Sequence, residues 1–255
     1  MTNVYSNCLA CPITFHLFED PVIAEDGQAT GKALYDAKWI GCPNGPPIVL
    51  LRLYSARAQR EAQFYESLTR HPHIVYTYGL VEPVKRESTC IMLLQEKAPE
   101  GSLLNYLEYR SECQSTSDLP IGLLNEIFRQ ISNAMIFLTE KEIIHGDLAC
   151  RNVLVFRIDE NEPKRTLVKL TDFGISRGKS IYSKIDSVAT VIDTVPIRSA
   201  APEVLQDEPI YSEKSDMYAI GVLMREVFTD GKLPWEEFEK ESIIRQKVIN
   251  GERLS

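Results

Sequence analysis

From Ile13 to Leu53 the apolar residues come in short runs broken by Gly and Pro, among them Ala33-Leu34-Tyr35, Lys38-Trp39-Ile40 and Ile48-Val49-Leu50-Leu51-Arg52. Such runs predict three antiparallel strands. The period then lengthens: Glu61, Phe64, Tyr65 and Leu68 share one face of a helix that Ser55 can cap and that runs to about Thr69. A carboxylate on an apolar face needs a partner. Strands are expected at Val75-Tyr76-Thr77-Tyr78 and Cys90-Ile91-Met92-Leu93-Leu94. Beyond Pro120, the positions Leu123, Leu124, Ile127, Ile131, Met135 and Leu138 repeat at helical period and stop just before His145. Val153 to Phe156 and Thr166 to Thr171 read as a hairpin, and the charged connection from Arg157 to Arg165 reads as solvated surface. The helix from Ser215 to Thr229 is apolar nearly all round, which predicts a buried axis. A last amphipathic helix carries Ile243, Ile244, Val248 and Ile249 and is closed by Gly251.

Strands early and helices late define an α+β chain, and 255 residues suffice for one large domain or two small ones with a sizeable core. A formal charge of -8 with no basic stretch argues against nucleic acid or an anionic membrane as partner. The longest apolar stretch, Met217 to Met224, is too short to span a bilayer, and the opening segment to Phe18 lacks the pattern of a signal peptide. Six scattered cysteines and the lack of an Asn-x-Ser/Thr sequon fit a reducing, cytoplasmic compartment. Cys8 and Cys11 have no second ligand pair at zinc spacing, and His71 and His73 no third ligand nearby, so neither pair reads as a metal site.

The candidate chemistry lies in His145-Gly146-Asp147-Leu148-Ala149-Cys150-Arg151-Asn152, where an aspartate and an asparagine stand five positions apart on a loop before the expected hairpin. Twenty residues after Asn152, at the far end of that hairpin, comes Asp172-Phe173-Gly174. Three oxygen-bearing side chains therefore converge from its two ends. Asp172 and Asn152 suit a small hard cation such as Mg²⁺, and Asp147 is left to take a proton.

The order and spacing of these motifs, with Ala201-Pro202-Glu203 downstream, resemble the catalytic loop and Asp-Phe-Gly motif of protein kinases. The resemblance implies a two-lobed kinase fold, with an extension at 1–12, an antiparallel N-lobe with one helix at 13–96, and a hinge and mainly helical C-lobe at 97–255. In the family several helices follow this point, so the C-lobe reads as lacking its last ones. Glu203 pairs in the family with an arginine from that later section, for which Arg253 is the one substitute here. The implied cofactors are ATP and Mg²⁺, and the implied partner is a protein with a hydroxyl acceptor. By the resemblance Asp147 is the catalytic base, Asn152 and Asp172 are metal ligands, and Arg151 neutralises the transferred phosphate. Glu96 and Ala98 offer backbone groups to adenine, with Gln95 beside them as gatekeeper. Asp216 tethers the loop backbone, and Tyr182 lies in an activation loop.

Four departures from the family pattern stand out. Arg52 aligns with the lysine that pairs with the helix glutamate, here Glu61, and holds the nucleotide phosphates; Lys38 is the nearest lysine upstream of it. The glycine-rich loop is reduced to Gly27 and Gly31 within Glu25 to Lys32, which a plain hairpin turn explains equally well. Gly146 replaces the arginine that usually precedes the catalytic aspartate, and Ser199 an aromatic residue. Ala149 and Arg151 follow the tyrosine-kinase pattern, so a tyrosine acceptor is favoured over serine or threonine. The alternative expectation is a pseudokinase, a nucleotide-binding or scaffold module with little turnover.

Overall fold

The first unit of the chain is built on a five-stranded antiparallel sheet in the order β1-β2-β3-β5-β4, with β1 at Ile13–Thr14, β2 at Lys32–Trp39, β3 at Ile48–Leu53, β4 at Thr77–Val81 and β5 at Ile91–Glu96. A computed structural model describes residues 13–14, 32–39, 44–54, 58–68, 70–81, 90–113, 118–173, 176–178 and 195–254. Residues 1–71 with 75–98 form one unit, and residues 72–74 with 99–255 form the other.

Strand alternation explains why β3 is nearly continuously apolar. Ile48 and Leu50 join Ala37, Cys90, Met92 and Leu94 in one cluster, against which Tyr35 and Trp39 pack. Val49, Leu51 and Leu53 point the other way, opposite Gln95, Leu93 and Ile91 of β5. Both faces of the strand are thus covered, and a strand buried on both faces loses its polar alternation. Helix α1, Ala58–Ser67, lies against β4 and β5 and buries Ala62, Phe64 and Tyr65.

The second unit holds helices α2 (Leu103–Glu112), α3 (Ile121–Glu140), α4 (Glu213–Phe228) and α5 (Glu241–Ile249). Its short strands pair as β6 (Ile143–Ile144) with β9 (Arg177–Gly178), and β7 (Val153–Arg157) with β8 (Leu167–Leu170). Helix α3 keeps the predicted face: Leu123, Ile127, Ile131 and Leu138 are at most 2% exposed, each such burial worth ~1.5–3 kcal/mol. Helix α2 was not expected from the apolar pattern. Its start is instead defined by Ser102, whose hydroxyl accepts the Asn105 amide while Asn105 Oδ1 accepts the Ser102 amide, a capping box.

The connection Arg157 to Arg165 is largely exposed, as expected, and is tied down as well: Glu160 accepts from Tyr106 Oη at 2.7 Å and Arg110 at 2.6 Å, and Asp159 takes the amides of Asn161 and Glu162. Two local expectations need correction. Helix α4 is not buried all round, because Met217 and Phe228 are more than 60% exposed while Val222, Leu223 and Val227 are buried. Likewise only Ile244 and Val248 of α5 enter the core, beside Val204, Leu205 and Trp235. Arg253 stands over the Tyr218 ring and donates to the Val248 carbonyl.

Candidate active site

The loop after β6 is held from beneath by one helix. Asp216, in the first turn of α4 and 3% exposed, accepts the amides of His145 and Gly146 at 2.8 and 2.9 Å. Burial pushes its carboxyl above the usual carboxylate range, against the pull of His145 and the two amides. Ten residues along α4, Glu226 accepts the Cys150 amide at 2.9 Å. Ten helical residues span about 15 Å, so the two carboxylates pin the loop near its two ends. Glu226 escaped the sequence reading. Helix α4 also carries Glu213 and Asp216, so a further acidic residue in its last turn gives no local sign of which amide it will take.

Within the loop each polar side chain has a partner. The Asp147 amide donates to His145 Nδ1 at 3.3 Å, so the ring proton sits on Nε2, which donates to the Thr171 carbonyl at 3.0 Å. Ser176 Oγ donates to the His145 carbonyl at 2.9 Å, and the Phe173 ring lies 5.2 Å from the imidazole. Asn152 Nδ2 donates to the Asp147 carbonyl at 2.8 Å and to its Oδ2 at 2.9 Å, while Arg151 pairs with Oδ1. Gly146, at φ 81°, takes a left-handed conformation that a side chain would strain.

Asp147 is therefore not loose on the loop. Burial raises its carboxyl above the usual range and the nearby Asp172 adds to this, while Arg151, His145 and Asn152 pull it down. A carboxylate so placed is a stronger proton acceptor than an ordinary one. Thr171, immediately before Asp172, donates its amide to the Asn152 carbonyl at 3.0 Å, which ties the two expected metal ligands to one another through the backbone. Asn152 spends its amide hydrogens on Asp147, and this leaves Oδ1 as the atom it would offer to an ion. Together with the Asp172 carboxylate this is an oxygen donor set of the kind Mg²⁺ takes. Among the described residues no three His, Cys, Asp or Glu side chains form a metal cluster, so such an ion would draw its other ligands from phosphate and water.

In the first unit the expected pair between Arg52 and Glu61 does not form. Glu61, 2% exposed, accepts from Lys32 Nζ at 2.9 Å. Arg52 lies on the opposite face of β3, where it donates to Cys90 Sγ at 3.6 Å and stands 5.7 and 5.0 Å from the ring centres of Tyr35 and Tyr54. One residue of strand register decides this, since neighbouring side chains of a strand point to opposite faces. Lys38 is exposed and lies at the other end of β2.

Gln95 is buried and donates to Thr77 Oγ1 at 3.0 Å. Glu96 uses its amide on the Tyr76 carbonyl and its carboxylate on the Tyr76 amide, and no described residue takes up the Ala98 amide. Gly27, Gly31 and Tyr182 lie outside the described residues.

Comparison with known proteins identifies the family. The family model "Protein tyrosine and serine/threonine kinase" matches residues 53–255. The chain is 38% identical over 170 residues to an Ack-related non-receptor tyrosine kinase of Caenorhabditis elegans, covering 66% of this chain and 15% of that protein. It is 34% identical over 195 residues to the cytoplasmic tyrosine-protein kinase BMX of Homo sapiens, covering 76% of this chain and 26% of that one. The chain thus belongs to the protein kinase family, with tyrosine kinases as its relatives, and spans about a quarter or less of the length of these two. No helix among the described residues is long and apolar enough to cross a membrane.

Proposed function

We propose that this chain is the catalytic part of a cytoplasmic protein kinase that transfers the γ-phosphoryl group of ATP to a protein hydroxyl, with tyrosine the favoured acceptor. The observation that carries the reading is the Asp147 carboxylate, held by Arg151 and Asn152 on a loop that Asp216 and Glu226 pin to α4. Asp147 orients the attacking hydroxyl and accepts its proton as the oxygen bonds to phosphorus and the ADP oxygen leaves. Arg151 faces the same reacting centre and neutralises charge on the transferred group. Asn152 Oδ1 and Asp172 would hold Mg²⁺, which supplies charge neutralisation on the phosphates when bound. The backbone at Glu96 and Ala98 would receive adenine. The position of Ala149, where serine/threonine kinases carry lysine, supports the tyrosine preference, as do the names of the relatives.

A pseudokinase reading is favoured by one observation, the all-aliphatic Val49, Leu51 and Leu53 face of β3. Asp147→Asn separates the two. Phosphotransfer to a tyrosine polymer should fall by at least about a hundredfold with Mg·ATP affinity retained. In the parent, the acid limb of kcat/KM should stand above the ordinary carboxylate pKa of about 4, because the raised Asp147 loses its proton at higher pH. A folded-state pKa above the unfolded one means that the charged Asp147 destabilises the fold at neutral pH. Asp147→Asn should therefore unfold no earlier than the parent at pH 7, and any gain should fade on acidification. A parent that binds Mg·ATP but transfers nothing would establish the pseudokinase instead.

A further inference from the structure

We infer that Lys32 of β2, and not a residue of β3, is the cation that holds the nucleotide phosphates in this protein. The inference rests on the kinase reading and identifies a ligand that the strand motif does not reveal. Three observations carry it.

The first is strand register. Lys32 stands directly opposite Leu53, and Val49 directly opposite Gln95, so Lys32, Leu53, Leu51, Val49 and Gln95 all lie on one face of the sheet. This is the face of the expected gatekeeper, Gln95. On it β3 presents only aliphatic side chains. The residue that occupies the place of a cation on that face of β3 is Leu51, one position before Arg52.

The second is the position of Arg52. Its guanidinium is on the far face, over Tyr35 and Tyr54 and against Cys90, with its Nε buried and without a partner among the described residues. To reach the Gln95 face it would have to cross its own strand. A stacked arginine of this kind supports the outer apolar cluster and leaves the nucleotide side to another cation.

The third is the Lys32–Glu61 pair. Glu61 is 2% exposed and its charge needs compensation; Lys32 Nζ provides it at 2.9 Å, while its side chain keeps 22% exposure. The carboxylate is therefore buried, while the lysine side chain remains partly exposed. An ammonium carries three donors on a flexible stem and can serve a helix carboxylate and a phosphate oxygen together. Moving this group from β3 to β2 keeps its link to α1, because the two strands are neighbours and Lys32 is in register with the last residue of β3. Glu61 then fixes the ammonium while α1 stays docked, so α1 position and phosphate contact remain coupled.

Two measurements on the full chain test the assignment. The first needs no substitution: an adenosine carrying an aryl sulfonyl fluoride in place of its phosphates is incubated with the parent, and the modified residue is mapped by mass spectrometry. Modification at Lys32, suppressed by excess Mg·ATP, is expected; modification at another lysine, with Lys32 untouched, overturns the inference. The second is Mg·ATP affinity by displacement of a fluorescent nucleotide. Lys32→Ala should weaken it by about tenfold or more, the size of one charge-assisted hydrogen bond. Lys32→Arg should recover part of the loss, and Arg52→Ala should stay within about threefold of the parent. If Arg52→Ala weakens binding more than Lys32→Ala in proteins with parent-like circular dichroism, Arg52 is the phosphate ligand and the inference fails. A parent that binds no Mg·ATP at all overturns the kinase reading, and this assignment with it.

Discussion

Asp216 is the residue through which the loop around Asp147 is most open to attack from a distance. Asp216→Ala removes the acceptor of two amides, those of His145 and Gly146, at 2.8 and 2.9 Å. Hydrogen bonds to a charged acceptor contribute ~1.5–3 kcal/mol each, so the two together are worth ~3–6 kcal/mol. Against this stands the relief of removing a buried carboxylate, whose raised pKa shows that burial outweighs its partners. A net loss of ~2–4 kcal/mol is expected, a large part of a domain margin of ~5–15 kcal/mol. In a chain of this size that is a fall in Tm of about 4–16 °C. Asp216→Asn keeps one carbonyl oxygen but turns an NH₂ group toward the second amide, so about half the loss should remain. The assay is denaturant unfolding at constant m-value, read beside phosphotransfer. Activity should fall further than stability requires, because the freed His145-Gly146 backbone releases Asp147 from its hydrogen bond to the imidazole. Unfolding of Asp216→Ala within about 0.5 kcal/mol of the parent, with unchanged kcat, would refute the claim that α4 positions the loop.

Two further outcomes probe contacts that the primary structure conceals. The Tyr106 phenol is pushed up to about 12, by burial first and then by its hydrogen bond to Glu160; Glu160→Ala should lower it only partway toward 10, read by ultraviolet titration, since the larger cause remains. Gln130, 2% exposed, spans the edge of β8, donating to the Thr166 carbonyl at 2.7 Å and accepting the Val168 amide at 2.8 Å. Gln130→Leu should cost ~2–4 kcal/mol in urea unfolding by leaving both groups unpaired, and a loss under about 0.5 kcal/mol would show that water replaces the side chain.

The amino-acid sequence by itself determined the class of the protein and the members of its loop. Spacing along the chain is preserved on folding, so Asp147, Asn152 and Asp172 could be read as a set, and the period of Leu123 to Leu138 as a helix. Capping chemistry at Ser102 was equally present in the sequence, although the apolar pattern alone passed over the helix that follows it. What only the tertiary structure decided are the pairings across long separations. Lys32 and Glu61 are 29 residues apart, and Cys150 and Glu226 are 76 apart. Nothing local marks them, because a charge in a sequence carries no sign of which partner will compensate it. Strand register is the sharpest case. By sequence Arg52 takes the lysine position and Leu51 is merely its neighbour, but a pleated strand sends the two to opposite faces. Which face looks toward Gln95 follows from how β2, β3 and β5 align, a property of three strands together and of none of them alone.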